Sequence, residues 1–265
     1  MTSQSTTPRN HSVSLRRALA ILTHFEADNG EGFTVSEISS ALEINKSTVS
    51  RLIQPLIAHH FLEHGERPNS YRLGWRNANL GQRYLANVRA DRDMHTVLLD
   101  LTRRTRETTH LVRSTPPMVV YIDKIDSPHA VRMFSRVGNT QPMHCTSVGK
   151  SILAHSSEET VESVIATGLP ARTPATITTP EELWAELDVI RQRGWAMDNV
   201  ENEDGIRCVA APIFDSEGDC NFAVSVSGPV SRITYENAFD IAPSVIEAAK
   251  EVSHRLGARS YPLPT

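Results

Sequence analysis

Two amphipathic runs separated by only three residues constrain this chain more than any other feature in it. From Thr34 the sequence reads "TVSEISSALE", turns at Glu43-Ile44-Asn45, and resumes with Val49, Leu52, Ile53, Leu56 and Ile57 at helical spacing. Thr34 and Glu37 form a T-x-x-E capping box, in which each side chain satisfies the other residue's free backbone N–H. An earlier stripe of Leu15, Ala18, Leu19, Leu22 and Phe25 predicts a first helix, ended by Gly30 and Gly32. After the third helix, "FLEHGERPNSYRLG" reads as two short strands around a Pro-Asn turn. Helix, helix, turn, helix and hairpin in about 65 residues describe a winged helix-turn-helix, placed at 12–74. Residues 1–11 are polar and aperiodic and read as a disordered lead-in.

Leu80, Tyr84 and Val88, then Met94, Val97, Leu98 and Leu101, continue at helical spacing and predict linker helices over 75–107. Beyond Thr108 the pattern changes to strands at "THLVRS", "MVVYIDKI" and "AVRMFS". Helices follow near "TSVGKSILAHS", near Glu158–Thr167 and from Thr179, where Pro180 takes the first position and Glu182 forms a second capping box. Two strands joined at Asp215-Ser216-Glu217-Gly218 and a last helix over Tyr235–Leu256, stopped by Gly257, complete an α+β domain at 108–265. No internal repeat is visible.

No apolar run is long enough to span a membrane, and no secretory start is present, so the expected location is the cytoplasm. Cys145, Cys208 and Cys220 are odd in number and lack C-x-x-C spacing, which argues against a disulfide framework or a structural zinc site and predicts reduced thiols. The net charge of −4 means that a nucleic acid would have to be met by a local patch rather than by the field of the whole molecule.

Such a patch exists. Residues 1–74 hold seven Lys plus Arg against seven Asp plus Glu, yet no acid stands between Glu43 and Glu63. A helix entering a major groove needs short polar side chains and cations on its outer face, because bases are read at hydrogen-bond range and phosphate contacts release counterions. With a helix starting after Asn45, Lys46, Ser47, Thr48, Ser50 and Arg51 occupy its first turn and a half, while Val49 and Ile53 point inward. Arg72, in the hairpin, adds a possible contact from the wing.

Segments spread over nearly the whole chain then show that it resembles the IclR-type bacterial transcriptional regulators. They are "SLRRALAIL", "TVSEISSALEINKSTVSRLI", "YRLG", "YIDKIDSPHAVRMFSRVG", "MHCTSVGKSILA", "RGWAMDN", "GIRCVAAPIFD" and "VSVSGPVSRIT". The resemblance implies a winged helix on double-stranded operator DNA, a C-terminal effector domain of GAF-like α+β fold, a homodimer or homotetramer, and a small carboxylate or aromatic metabolite as effector. It maps the effector cavity onto Met133, Ser147, Val148, Asp198, Ile206, Cys208, Ser225 and Ser227. Free N–H groups at the helix start over Ser147–Lys150 would favour an anion, and Ser225 and Ser227 share one face of a strand. One departure is Pro55: inside the third helix it removes a bond to the Arg51 carbonyl and predicts a kink or an early end.

Other chemistries fare worse. "HCTSVGKS" ends like a phosphate-binding loop, but His144 stands where the first glycine is needed to wrap a phosphate. His144 and Cys145, read as strand neighbours, point to opposite faces; a cysteine hydrolase of small acyl substrates, using Cys145 or Cys208 with His110 or His155, is the alternative from another class. His60 and His64 have H-x-x-x-H spacing, but His64 falls at the start of the hairpin and Phe61 replaces the catalytic glutamate of H-E-x-x-H. No catalytic residue, metal or cofactor is expected. A DNA-binding architectural protein without a ligand is opposed by the long second domain.

Overall fold

The computed structural model describes residues 12–88 and 92–262, which divide into two compact units at the Asn87/Val88 step. The expected lead-in, 1–11, lies outside the described residues.

In the first unit, α1 (Val13–His24), α2 (Val35–Leu42) and α3 (Lys46–Ala58) enclose a core of Ile21, Phe25, Ile38, Ile44, Val49, Leu52, Ile53 and Leu62. The buried face of α1 is rotated from the expected stripe: Ile21 and Phe25 are inside, whereas Leu15 and Leu19 are 59% and 53% exposed. Both halves of the first capping box form, with the Thr34 N–H 2.6 Å from Glu37 Oε2 and the Glu37 N–H 3.3 Å from Thr34 Oγ1. A cap of this kind contributes about 1 kcal/mol and fixes where α2 begins. Glu43, at φ 53, ends it in the left-handed region. The helix does not stop at Pro55: α3 runs through it to Ala58, one turn further. Pro55 and Arg51, whose carbonyl the missing N–H would have served, are both exposed residues, away from the core of this unit.

The wing is β2 (Leu62–His64) and β3 (Ser70–Leu73), joined by a two-residue strand β1 (Phe33–Thr34) in the order β1-β3-β2. Gly32 sits at φ +70, and a Cβ there would come within 2.4 Å of the Tyr71 carbonyl oxygen, so only glycine lets β1 approach β3. α4 (Trp75–Val88) follows.

The second unit begins with α5 (Arg92–Thr105), whose Met94, Val97, Leu98 and Leu101 are buried against this unit's own elements. The stretch read as a linker is therefore shared, α4 going with the first unit and α5 with the second. Six strands follow: β4 (Thr108–Thr115), β5 (Met118–Ile125), β6 (Thr140–Pro142), β7 (Ala196–Asn199), β8 (Ile206–Ile213) and β9 (Phe222–Pro229). They form one antiparallel sheet in the order β6-β5-β4-β9-β8-β7. α5 and α9 (Asn237–Arg255) pack together across one face. α6 (Ser147–Leu153), α7 (Glu158–Ala166) and α8 (Pro180–Arg193) pack on the other, against Val112, Tyr121, Ala196, Ala210 and Ala223. Gly149 permits that seating, since a Cβ there would come within 2.3 Å of the Met143 backbone; the glycine of "SVGKS" serves close packing.

The segment "AVRMFS" is not a strand. It belongs to a loop pinned from outside: Lys124 Nζ donates to the Ser135 carbonyl (2.8 Å), Arg232 to the Val131 carbonyl (2.9 Å), and His110 bonds the Ser135 hydroxyl (2.8 Å). The strand that pairs with the outer side of β5 is instead β6. At the second capping box only half the expected pattern forms: Thr179 Oγ1 accepts from the Glu182 N–H but donates to its carboxylate.

Candidate functional site

Two sites emerge, one in each unit. On α3, Val49, Leu52 and Ile53 are buried, which turns Lys46, Ser47, Ser50 and Arg51 outward and leaves Thr48 at the margin. Lys46 and Arg51 take part in no ion pair among the described residues, so both cations are available to an external anion. Gln54, exposed on the next turn beside Ser50 and Arg51, was not singled out in the sequence; its i+3 and i+4 spacing was the available signal.

The wing is electrically quieter than expected. Arg72 is exposed, but its Nε lies 2.9 Å from Glu63, its direct partner across the hairpin, and Glu66 is 3.8 Å away. Arg67 reaches Glu37 (3.3 Å) and Glu31 (3.8 Å).

In the second unit, strand register builds a polar floor on the α6 side of the sheet. Thr108, Ser227, Cys208 and Asp198 stand directly opposite one another across β4, β9, β8 and β7. The next row on this face holds His110, Ser225, Ala210 and Ala196. Ile206, two residues before Cys208, is half-buried on the same side, and Ser147 and Val148 come from α6 above. Met133 is buried in the loop that delivers Ser135 to His110.

His110 and Tyr121 also belong to this face. Their rings stack at 4.6 Å, and His110 bridges Ser135 (2.8 Å) and Ser227 (3.4 Å). Complete burial, reinforced by Lys124, pushes the imidazole down to about 3, so it is neutral at any physiological pH. Period-two alternation put His110 and Val112 on one face; the pairing of β4 with β9, which brings the serines alongside, was not readable locally.

Asp198 does the work of a turn acid with one oxygen: Oδ1 accepts from the N–H groups of Glu201 (2.7 Å) and Asn202 (3.3 Å). Burial, with Glu201 nearby, pushes its carboxyl up to about 7 despite Lys150 and the two backbone bonds. Lys150 is itself buried and committed, its Nζ 2.5 Å from Glu201 and 3.6 Å from Glu186. The α6 start offers less than expected, because Thr146 takes the N–H of Gly149 with its hydroxyl and that of Lys150 with its carbonyl. Among the described residues the Ser147 and Val148 N–H groups there have no partner.

Among the described residues neither Cys145 nor Cys208 has a hydrogen bond to an imidazole: Cys145 lies by Asn202 and Cys208 by Ser227. Burial pushes Cys145 up to about 12 and raises Cys208 well above the ordinary range. His144 and Cys145 lie in a turn, not on a strand; the histidine bonds the Pro170 carbonyl (3.2 Å), and the thiol lies 3.7 Å from Asn202. His155 packs edge-on against Phe214. His60, at φ 61, is past the end of α3 while His64 is on β2, so they share no helical face. Among the described residues no three His, Cys, Asp or Glu side chains gather as metal ligands would. A cleft of about 620 Å³ opens between α5 and α9, but its arginines are matched by Asp100, Glu247 and Glu251, and none of the expected residues lines it.

Comparison with known proteins gives matching assignments for both units. A family model of the IclR helix-turn-helix domain matches residues 14–66, and one of the bacterial transcriptional regulator IclR C-terminal domain matches 82–254. The transcriptional regulator KdgR of Dickeya chrysanthemi is 34% identical over 229 residues, covering 86% of this chain and 75% of that protein. The crystal structure of the Thermotoga maritima IclR, 35% identical, superposes with a TM-score of 0.73 over 93% of this chain and 100% of the other. An IclR homolog from Microbacterium hydrocarbonoxydans, solved in complex with 4-hydroxybenzoate, is 26% identical with a TM-score of 0.75, covering 91% and 99%.

Proposed function

Because this chain belongs to the IclR family of bacterial transcriptional regulators, we propose that its second unit senses a small organic acid or aromatic metabolite and thereby alters its hold on operator DNA. The observation that carries the DNA half is the outward face of α3, where Lys46 and Arg51 have no acid to pair with among the described residues. Lys46 and Arg51 grip phosphate and read base edges, with Ser47, Thr48 and Ser50 donating at close range. Arg72 contributes a weaker contact, since Glu63 and Glu66 share its charge.

Met133, Ser147, Val148, Asp198, Ile206, Cys208, Ser225 and Ser227 form the effector cavity. The 4-hydroxybenzoate bound by the Microbacterium relative supports an aromatic or carboxylate ligand. The working form is a homodimer or homotetramer whose winged helices read a pseudo-palindrome. The exposed apolar side chains of α1 (Leu15, Leu19) and α4 (Leu80, Tyr84) supply surface for that association. Segment 75–107 transmits the effector signal, with a coupling of about 1–3 kcal/mol. No helix among the described residues is long and apolar enough to cross a membrane, in keeping with a cytoplasmic regulator.

The test begins with selection of duplexes from a random library by the full-length protein. Arg51→Ala should weaken the gel shift of the selected duplex; an unchanged shift puts the reading head elsewhere. Cys208→Leu should abolish ligand response with DNA affinity intact, and an unaltered response moves the cavity.

A further inference from the structure

The floor of the second unit's site holds polar atoms with nothing to bond. The Tyr121 hydroxyl, Ser147 Oγ, Ser225 Oγ and Asp198 Oδ2 have no hydrogen-bond partner among the described residues, although each residue is at most 4% exposed. None of the four is sealed off in the way that Ser151 Oγ or Glu201 Oε2 is, so each keeps some accessible surface. Buried polar groups are normally satisfied, and three hydroxyls with one carboxyl oxygen left open on one face are the complement of a polar ligand.

The charges around them are already matched. Lys150 is held by Glu201 and Glu186, Arg172 donates to the Asn202 carbonyl, Arg207 to Asn199 and Ile233, and Lys124 to Ser135 and Asp126. A carboxylate entering this space therefore meets hydroxyl donors and the acid of Asp198, with none of these cations free to neutralise the pair. Two carboxylates in contact cannot both stay ionised without such help; they share a proton.

We propose that the cavity binds a monocarboxylate together with one proton, the ligand accepting hydrogen bonds from Tyr121, Ser147, Ser225 and a protonated Asp198. The inference rests on the reading of this face as the effector site and adds to it the proton, the single charge of the ligand and Tyr121 as a contact. The proton comes from solvent and resides on Oδ2, from which it is donated to a ligand oxygen; no covalent bond changes. Oδ1 keeps its two bonds to the Glu201 and Asn202 N–H groups, so the turn after β7 is undisturbed. A dicarboxylate would bring a second charge that nothing here offsets.

The groups facing Asp198 are Tyr121 on β5, His110 on β4, Cys145 before α6, Lys150 on α6, Glu201 and Glu203 after β7, and Cys208 on β8. Glu201 opposes a charge on Asp198, Lys150 favours one, and burial decides for the neutral acid; Glu203 acts on Tyr121 and Cys208. His110 is neutral throughout and the thiols stay protonated, so none of these titrates in the same range as Asp198.

The test titrates the full-length protein with acetate, lactate, benzoate and 4-hydroxybenzoate at about pH 6 and about pH 8.5, where all four probes remain ionised. An acid that binds should lose affinity by about tenfold per pH unit once Asp198 must be reprotonated to accept it. Calorimetry in two buffers of different ionisation heat should show uptake of about one proton per ligand at the higher pH. Asp198→Asn keeps the Oδ1 acceptor and a donor in place of the acid, and should bind the same probe equally at both pH values. Tyr121→Phe should weaken binding while leaving its pH dependence intact. Equal wild-type affinity at both pH values, or a pH dependence that survives in Asp198→Asn, overturns the proposal and leaves acid sensing standing. If none of the four probes binds at either pH, acid sensing itself fails and the proposal with it.

Discussion

Replacing Lys150 by methionine removes a cation that α6 carries into the interior, and the structure sets the size of the effect. Its ammonium is 2.5 Å from Glu201 and 3.6 Å from Glu186. Glu186 keeps a second partner, Arg193 at 3.0 Å, whereas Glu201 keeps only the Asn199 N–H at 3.2 Å and has an oxygen with no bond at all. Glu201 is then a buried, uncompensated carboxylate, and breaking a buried pair from one side costs about 3–5 kcal/mol. At about 2–4 °C per kcal/mol for a unit of this size, the midpoint should fall by roughly 6–20 °C. Lys150→Met with Glu201→Gln removes the stranded charge and should recover most of that loss. Thermal and urea unfolding followed by fluorescence in a Trp75→Phe background would report the second unit through Trp184 and Trp195. Burial raises the Glu201 carboxyl, so protonation relieves the stranded group and the deficit should be smaller at acid pH than at neutral pH. A loss below about 1 kcal/mol, or a double variant no more stable than the single one, would refute the reasoning.

Other consequences are sharper in sign than in size. Arg72→Ala should weaken operator binding less than Arg51→Ala in the same gel-shift assay, because Glu63 and Glu66 share the Arg72 charge while Arg51 has no acid partner. Asp198 has a folded value of about 7 against an ordinary 3.8, so its ionisation opposes folding: the contribution to stability is full below about pH 4 and is lost as pH rises through about 7. Asp198→Asn should therefore gain on wild type in thermal midpoint across that interval, and a constant offset would contradict the burial argument. All three thiols are buried, with Cys145 pushed up to about 12 and Cys220 raised beyond that, so a disulfide reagent at about pH 8 should react slowly until denaturant is added.

The outward face of α3 was legible because its determinants are local. Thr34 and Glu37 cap each other within one turn, and the inward stripe of Val49, Leu52 and Ile53 fixes which side of α3 faces out. What sequence reading missed came from partners distant in the chain. The neutralisation of Arg72 depends on Glu63 falling opposite it in the hairpin register. The exposure of Leu15 and Leu19 depends on how α1 rolls against its neighbours, which a spacing of three and four leaves open by one step. "AVRMFS" alternates like a strand, but Lys124, Arg232 and His110 pin it as a loop. The expected cavity residues came from resemblance and do meet on one face, since β7, β8 and β9 align Asp198, Cys208 and Ser227. His110 and Tyr121 join them through strand order, which no local pattern encodes.

The most direct test of a cationic, outward-facing α3 is the salt dependence of binding to the selected duplex, measured for wild type and for Lys46→Ala with Arg51→Ala. Each lost phosphate contact should lower the slope of log affinity against log salt by about 0.9, so the double variant should lose about two units per reading head. An unchanged slope with unchanged affinity would mean that these side chains never meet DNA, and the account of the first unit would be wrong.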